Sequence, residues 1–234
     1  MSFELNYTAD WTPKEYNDHR GLKDKLAEQS NGPATELSLY DDEQDGGRLL
    51  DDEMDYYIDW VKEGKVTEVK NQGNCGSCWA FAAATTQESM QSIKHGDAPV
   101  RLSEQQGVDC CEDSYGCRGG WMRHFWEQSA RAGSLTNQDY PYEARTRKCK
   151  EMPDKPIASK AIDSSIGRIT NSVTEMKQQL QNGPMTIAVG ASGKCWRYYK
   201  SGVLSAKNKC PTKLNHGVVV VGLYKGEADP NETE

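Results

Sequence analysis

No stretch of this 234-residue chain approaches the ~18 to 20 apolar residues that a membrane-spanning helix needs, so a soluble chain with no membrane partner is expected. Excess positive charge is lacking too. The formal net charge is -7 and the longest charge bias is acidic, whereas a nucleic-acid groove needs clustered Lys and Arg, which excludes DNA and RNA as partners. The opening "MSFELNYTADW" has neither a basic n-region nor an apolar h-region, so no secretory signal is visible. No internal repeat is evident, and histidine is scarce, with four residues.

Cysteine, by contrast, is abundant. Eight cysteines is a high count for a reduced cytosolic protein, and Trp and Tyr are frequent as well, so disulfides and an oxidising compartment are expected. A disulfide-rich composition without a signal means either that the compartment reading is wrong or that the chain is truncated at its front. The length suits one two-lobed domain or two small ones.

Residues 1–54 are polar, and the run "DDEQDGGRLLDDEMD" at 41–55 reads as an exposed, flexible connector. Aromatics, cysteines and periodic apolar positions accumulate afterwards, which places a packed domain over residues 55–234. Within it, "SCWAFAAATTQESMQSIKHG" predicts the strongest helix, with Ser77 as N-cap and Gly96 as its stop. "LSEQQGVDCC" carries Ser103 and Gln106 at capping-box spacing, and "GGWMRHFWEQSARAG" predicts a helix closed by Gly133. After Pro156 one helix remains, in "VTEMKQQLQNG", and the runs "PMTIAV" and "HGVVVVGLY" are short and β-branched, as buried strands are. An α+β architecture follows: a helical lobe, then a sheet lobe, with a cleft between them as the natural ligand site.

The stretch "NQGNCGSCWAF" (71–81) holds Cys75 and Cys78 at C-x-x-C spacing. A zinc site needs a second pair at knuckle spacing, whereas Cys110, Cys111 and Cys117 give CC-x5-C. A redox dithiol belongs after a strand, and no strand-like run leads into Asn71. The third reading splits the pair, leaving Cys78 as a free thiol in the first turn of the long helix. Aligned backbone dipoles and unpaired N–H groups there stabilise a thiolate. Such a sulfur needs an imidazole to hold or return a proton in acyl chemistry. His19 lies in the polar leader and His95 at a frayed helix end, where both read as solvated. His124 sits among Trp121, Phe125 and Trp126 and reads as packed or half-exposed. His216 opens "HGVVVVG" at the mouth of a strand in the second lobe, 138 residues after Cys78, and is the candidate partner.

From about Asp59 to Tyr224 the chain resembles a papain-like cysteine peptidase of the cathepsin L-like kind. "DWVKEGKVTEVKNQGNCGSCWAF", "LSEQQGVDC", "YGCRGGW", "YPYEA", "NGPMTIAV", "SGVL" and "LNHGVVVVGLY" stand in that family's order and spacing. The resemblance implies Cys78 as nucleophile, His216 as its imidazole partner and Gln72 as an oxyanion donor. It also implies substrate-backbone pairing at Gly119 and Gly120, and a substrate-binding wall from Trp121, Met122, Ala188, Leu214 and Asn215. Implied disulfides are Cys75–Cys117 and Cys110–Cys149; Cys210 matches half of a third bridge whose usual partner lies beyond the given sequence, so Cys195 is expected to bond it instead, and Cys111, which has no family counterpart, is expected to be a buried free thiol. No metal and no cofactor are implied. The implied partners are peptide or protein substrates and the chain's own propeptide, the implied state is a monomer, and the implied location is lysosomal, vacuolar or extracellular.

The pattern departs from the family at both ends. The family's asparagine, in an Asn-Ser-Trp stretch after the histidine, has no counterpart, since Asn231 in "PNETE" lacks the following Ser-Trp. "NYTADWTPKEY" resembles the end of the inhibitory propeptide, with Asn6, Ala9 and Asp10 in register and Thr8 where an aromatic is usual. The expectation is an internal piece of a zymogen, lacking the last strands of the sheet lobe. The function expected is a cysteine endopeptidase acting through an acyl-enzyme thioester. The rival is a truncated, inactive homologue that at most binds peptide.

Overall fold

The computed structural model describes residues 2–3, 57–169, 172–202, 204 and 210–224. His19, the connector at 41–55, the propeptide-like Asn6, Thr8, Ala9 and Asp10, and Asn231 lie outside them.

The first half is helical, as its pattern dictates. α1 (Cys78–His95) runs through the middle, followed by α2 (Glu104–Cys110) and α3 (Met122–Ala132). Alanines at 80, 82, 83 and 84 make the buried face of α1 narrow, so Trp79, Leu102, Val108 and Phe125 close against it in one apolar core. The indoles are anchored at their polar edges: Trp126 Nε1 donates to Ala83 O at 3.0 Å and Trp79 Nε1 to Gly116 O at 3.3 Å. α1 ends at Gly96 with φ 80°, a left-handed turn in which glycine carries no Cβ penalty.

Two capping expectations are altered by tertiary partners. Ser103 accepts from Gln106 N at 2.9 Å, but the Gln106 side chain donates to Gly133 O and accepts from Leu135 N, tying α2 to the end of α3. The return half of the capping box is therefore absent. Ser77 sits at the N-cap of α1 without capping it, because its hydroxyl bonds Tyr142 Oη at 2.6 Å.

A buried ion cluster sits under α1. Lys70 Nζ, 5% exposed, lies 2.7 and 2.8 Å from the carboxylate oxygens of Glu88 and 3.0 Å from Glu104 Oε1, both acids having fully buried side chains. Glu88 also accepts from Thr67 Oγ1 at 2.6 Å and Leu102 N at 2.8 Å. Glu104 Oε2 accepts from Asn137 Nδ2 at 3.2 Å, while its Oε1 contacts Lys70 as a charge rather than through an aligned hydrogen bond.

The second half holds α4 (Val173–Asn182), β3 (Met185–Val189), the short α5 (Lys194–Arg197), β4 (Tyr199–Ser201), β5 (His216–Val220) and β6 (Gly222–Tyr224). β3 and β5 pair antiparallel from Met185↔Val220 to Val189↔His216. The run "HGVVVVGLY" thus splits at Val221: β6 leaves β5 and pairs with β2 (Tyr57–Asp59), next to which Trp60 Nε1 donates to Leu180 O at 2.8 Å. β3 and β5 are largely half-buried rather than buried, since each ladder among the described residues has two strands and α1 packs on one face. β1 (Ser2–Phe3) pairs antiparallel with β4.

Disulfides join Cys75 to Cys117, Cys110 to Cys149 and Cys195 to Cys210, while Cys78 and Cys111 are buried and outside any disulfide. Burial pushes the Cys111 thiol up to about 12, far from a nucleophile's range. No helix of the described residues is long and apolar enough to cross a membrane.

Candidate active site

Two elements far apart in sequence converge at the start of α1. Cys78 is its first residue, 2% exposed, and the Gly217 N–H of β5 donates to its Sγ at 3.4 Å across 139 residues. His216, one residue earlier and half-buried, opens β5 at this point. The approach depends on Gly217: a Cβ there would lie 3.1 Å from Met122 Sδ and 3.7 Å from Trp79 Cα, so a side chain would wedge the strand off the helix. β3 sets Ala188 opposite Gly217 and Val189 opposite His216. Met122, Ala188 and the half-buried Trp121 therefore gather around the helix start, all packed on the core, while Leu214 is 38% exposed.

Asn215 is held where β3 hands over to β5. Its N–H donates to Val189 O at 3.0 Å, and its Oδ1 accepts from Ala191 N at 2.8 Å, which fixes the backbone just before His216.

On the other side of Cys78 the loop 71–77 folds back on itself. Gln72 Nε2 donates to Cys75 O at 2.8 Å, so the amide lies along the segment leading into Cys78. Gly76 bridges Arg118 in parallel and its N–H donates to Cys117 O at 2.8 Å, beside the Cys75–Cys117 disulfide. Gly119 and Gly120 follow, both buried. A Cβ on Gly120 would meet the Trp79 ring and Ser114 Oγ at 2.6 Å, so only glycine lets this backbone lie against the helix start.

Tyr142 is the residue that sequence reasoning passed over. Its hydroxyl donates to Gln72 O at 2.8 Å; with that hydrogen committed, Ser77 supplies the one between Ser77 Oγ and Tyr142 Oη. One phenol thus clamps both the Gln72 end and the Cys78 end of the loop. The signal was in "YPYEA", but no local pattern says which loop a tyrosine will reach. Burial holds its pKa up at about 12, above the ordinary ~10, so it remains a neutral donor at any working pH. A raised phenol favours the folded state below pH ~10, and that contribution is lost as pH rises from there through about 12. Tyr142→Phe is expected to cost about 1–2 kcal/mol at neutral pH and to remove one late step from the alkaline tyrosinate titration. Denaturant unfolding and absorbance near 295 nm check both; an unchanged late step would show that the phenol is not held as described.

The other histidines stand apart. His124 is half-buried with Nδ1 3.1 Å from Ser114 Oγ, and His95 is exposed at the end of α1. Among the described residues no group of three or more His, Cys, Asp or Glu could hold a metal.

The fold and this site define a papain-type arrangement, a thiol at a helix start met by a histidine-bearing strand. A family model described as "Papain family cysteine protease" matches residues 54–231, and the chain belongs to that family. Chymopapain of Carica papaya is 42% identical over 165 residues, 70% of this chain and 46% of the relative, so the chain spans about half the length of that protein. Among solved structures, bromelain of Ananas comosus in complex with the E64 inhibitor aligns with a TM-score of 0.66 at 37% identity, over 74% of this chain and 78% of the other. The ragweed pollen allergen cysteine protease Amb a 11, in its proform, aligns with a TM-score of 0.77 at 29% identity, over 97% and 67%.

Proposed function

We propose that the chain carries the chemistry of a cysteine endopeptidase. Cys78, as a thiolate paired with the His216 imidazolium, attacks a peptide carbonyl and forms a thioester; His216 gives its proton to the leaving amine, and water then releases the acid. The observation that carries this reading is the Gly217 N–H to Cys78 Sγ contact at 3.4 Å, which brings the His216 end of β5 to the start of α1. Gln72 and the Cys78 N–H are the oxyanion donors, and the Gln72 amide must turn from Cys75 O or share its second hydrogen to serve.

Gly119 and Gly120 pair with extended substrate backbone. Trp121, Met122, Ala188, Leu214 and Asn215 border a pocket for an apolar side chain next to the scissile residue. Residues 1–54 are read as the end of an inhibitory propeptide and its activation linker, and residues 55–234 as the peptidase domain. The alignment of 97% of this chain with a protease in its proform supports that division. Three disulfides favour a lysosomal, vacuolar or extracellular setting. The monomeric state and the chain's own propeptide as a partner belong to the same proposal.

The test is brief labelling with a peptidyl epoxide between pH 5 and 6, followed by peptide mapping. Cys78 is expected to be modified alone, since ordinary thiols near pKa ~8.5 are protonated there and Cys111 is held neutral by burial. Equal modification of Cys78 and Cys111 would refute the ion pair.

A further inference from the structure

We propose that Arg118 sets a charge preference at this site, favouring substrates with an acidic side chain on the residue whose carbonyl Cys78 attacks. The inference rests on the peptidase reading and adds a specificity determinant to it. Arg118 bridges Gly76 in parallel, and Gly76 precedes the nucleophile by two residues. A bridge spacing of ~4.8 Å plus two residues of chain at ~3.5 Å each puts the two Cα atoms within roughly 12 Å, a distance that an arginine and a substrate side chain span together.

The backbone around Arg118 is pinned. Its N–H donates to Tyr115 O at 2.9 Å, Gly119 N to Gly116 O at 3.3 Å, and Tyr115 N to Gly119 O at 2.8 Å, with Cys117 bonded to Cys75 on the other flank. The side chain is exposed, and its guanidinium has no hydrogen bond or ion pair among the described residues. A charge held on a rigid turn and left without a partner is placed to meet a ligand's charge.

The surroundings strengthen the field. Arg118 is the only Asp, Glu, Lys or Arg within 71–78 and 114–122, the two segments that flank the nucleophile's approach. Across the site, 184–193 and 211–224 contain no Asp or Glu and one Lys, Lys213. No carboxylate from these segments can neutralise Arg118 or receive a basic substrate residue. A substrate backbone pairing along Gly119 and Gly120 and ending at Cys78 must carry the residue of the attacked carbonyl between Gly76 and Arg118. A glutamate there gains a charge-assisted bond, and a lysine meets repulsion.

The experiment uses the full chain with Cys78→Ala and fluorescein-labelled octapeptides. These carry leucine at the preceding residue and differ only in Glu, Gln or Lys at the position of the attacked carbonyl. Anisotropy titrations are expected to give about fivefold tighter binding for Glu than for Gln and several-fold weaker binding for Lys. The Glu-to-Lys ratio is expected to collapse in Arg118→Asn, survive in Arg118→Lys and invert in Arg118→Glu. It is also expected to shrink in about 0.5 M salt, as for exposed charges.

Turnover of the Gln peptide by the unaltered chain reports the peptidase reading separately. Cleavage with equal affinities for all three peptides, a preference that survives Arg118→Asn, or no binding of any peptide would overturn the role of Arg118. A Glu preference without cleavage would uphold it and overturn the peptidase reading.

Discussion

His216→Ala is expected to lower peptide turnover by about 10⁴-fold or more and to slow labelling of Cys78 at pH 5.5, with a melting temperature little changed. Proton transfer explains the size of the loss. In the proposed mechanism, losing the imidazole removes both the group that holds Cys78 as a thiolate in acid and the group that returns a proton to the leaving amine, so both halves of acyl transfer lose their catalyst. Stability is spared because β5 is held by its backbone: Val189 to His216 and Ala188 to Gly217 stay paired whatever side chain residue 216 carries.

His124→Ala provides the contrast, because that ring meets Ser114 in the helical lobe and lies outside the Cys78 contact. It is expected to leave turnover within a few-fold. The measurement is kcat/KM on a neutral peptide beside a thermal melt of each variant. Residual activity within tenfold for His216→Ala would remove it from the mechanism.

Lys70→Met is expected to destabilise the chain by about 3–5 kcal/mol, the cost of leaving buried charge without its counter-charge. For a chain of this size that is a fall in melting temperature of roughly 10 °C or more. Glu88 and Glu104 are buried side by side under α1 and α2, and the Lys70 ammonium is the cation in contact with both. Thr67, Leu102 N and Asn137 donate hydrogen bonds to the pair but bring no charge. Arg101, 3.8 Å from Glu104 and partly exposed, offers a weak substitute.

Glu88→Gln keeps its oxygen as the acceptor for Leu102 N, puts an NH2 where Oε2 accepted from Thr67 Oγ1, and removes one of the two like charges, so it is expected to cost about 1–2 kcal/mol. Urea unfolding of the three proteins measures the differences. A Lys70→Met variant as stable as the parent would mean that the cluster contributes nothing net.

The helices were legible because their cause is local. The alanine-rich run after Cys78, the Ser103 cap and the glycines at 96 and 133 declare where α1, α2 and α3 begin or end, and the structure places them there. The split of "HGVVVVGLY" was not legible, because a β-branched run carries no mark of which partner each half will choose. That choice was made by Met185–Val189 on one side and Tyr57–Asp59 on the other.

The sequence by itself determined the kind of chemistry: a thiol at a helix start, one histidine at the head of a strand, glycines where backbone must approach closely, and enough cysteine to staple the loops. Residue type and spacing suffice for that, since helix dipoles and capping act within a turn or two of the residue that causes them. The tertiary structure alone decided who meets whom. Gly217 lies on Cys78, Tyr142 clamps Gln72 to Ser77, Lys70 joins two buried acids, and Arg118 stands beside Gly76 with no side-chain partner among the described residues. Each of these joins segments many residues apart. Such contacts form only when burial of the apolar core, centred on Trp79 and Phe125, draws distant segments together.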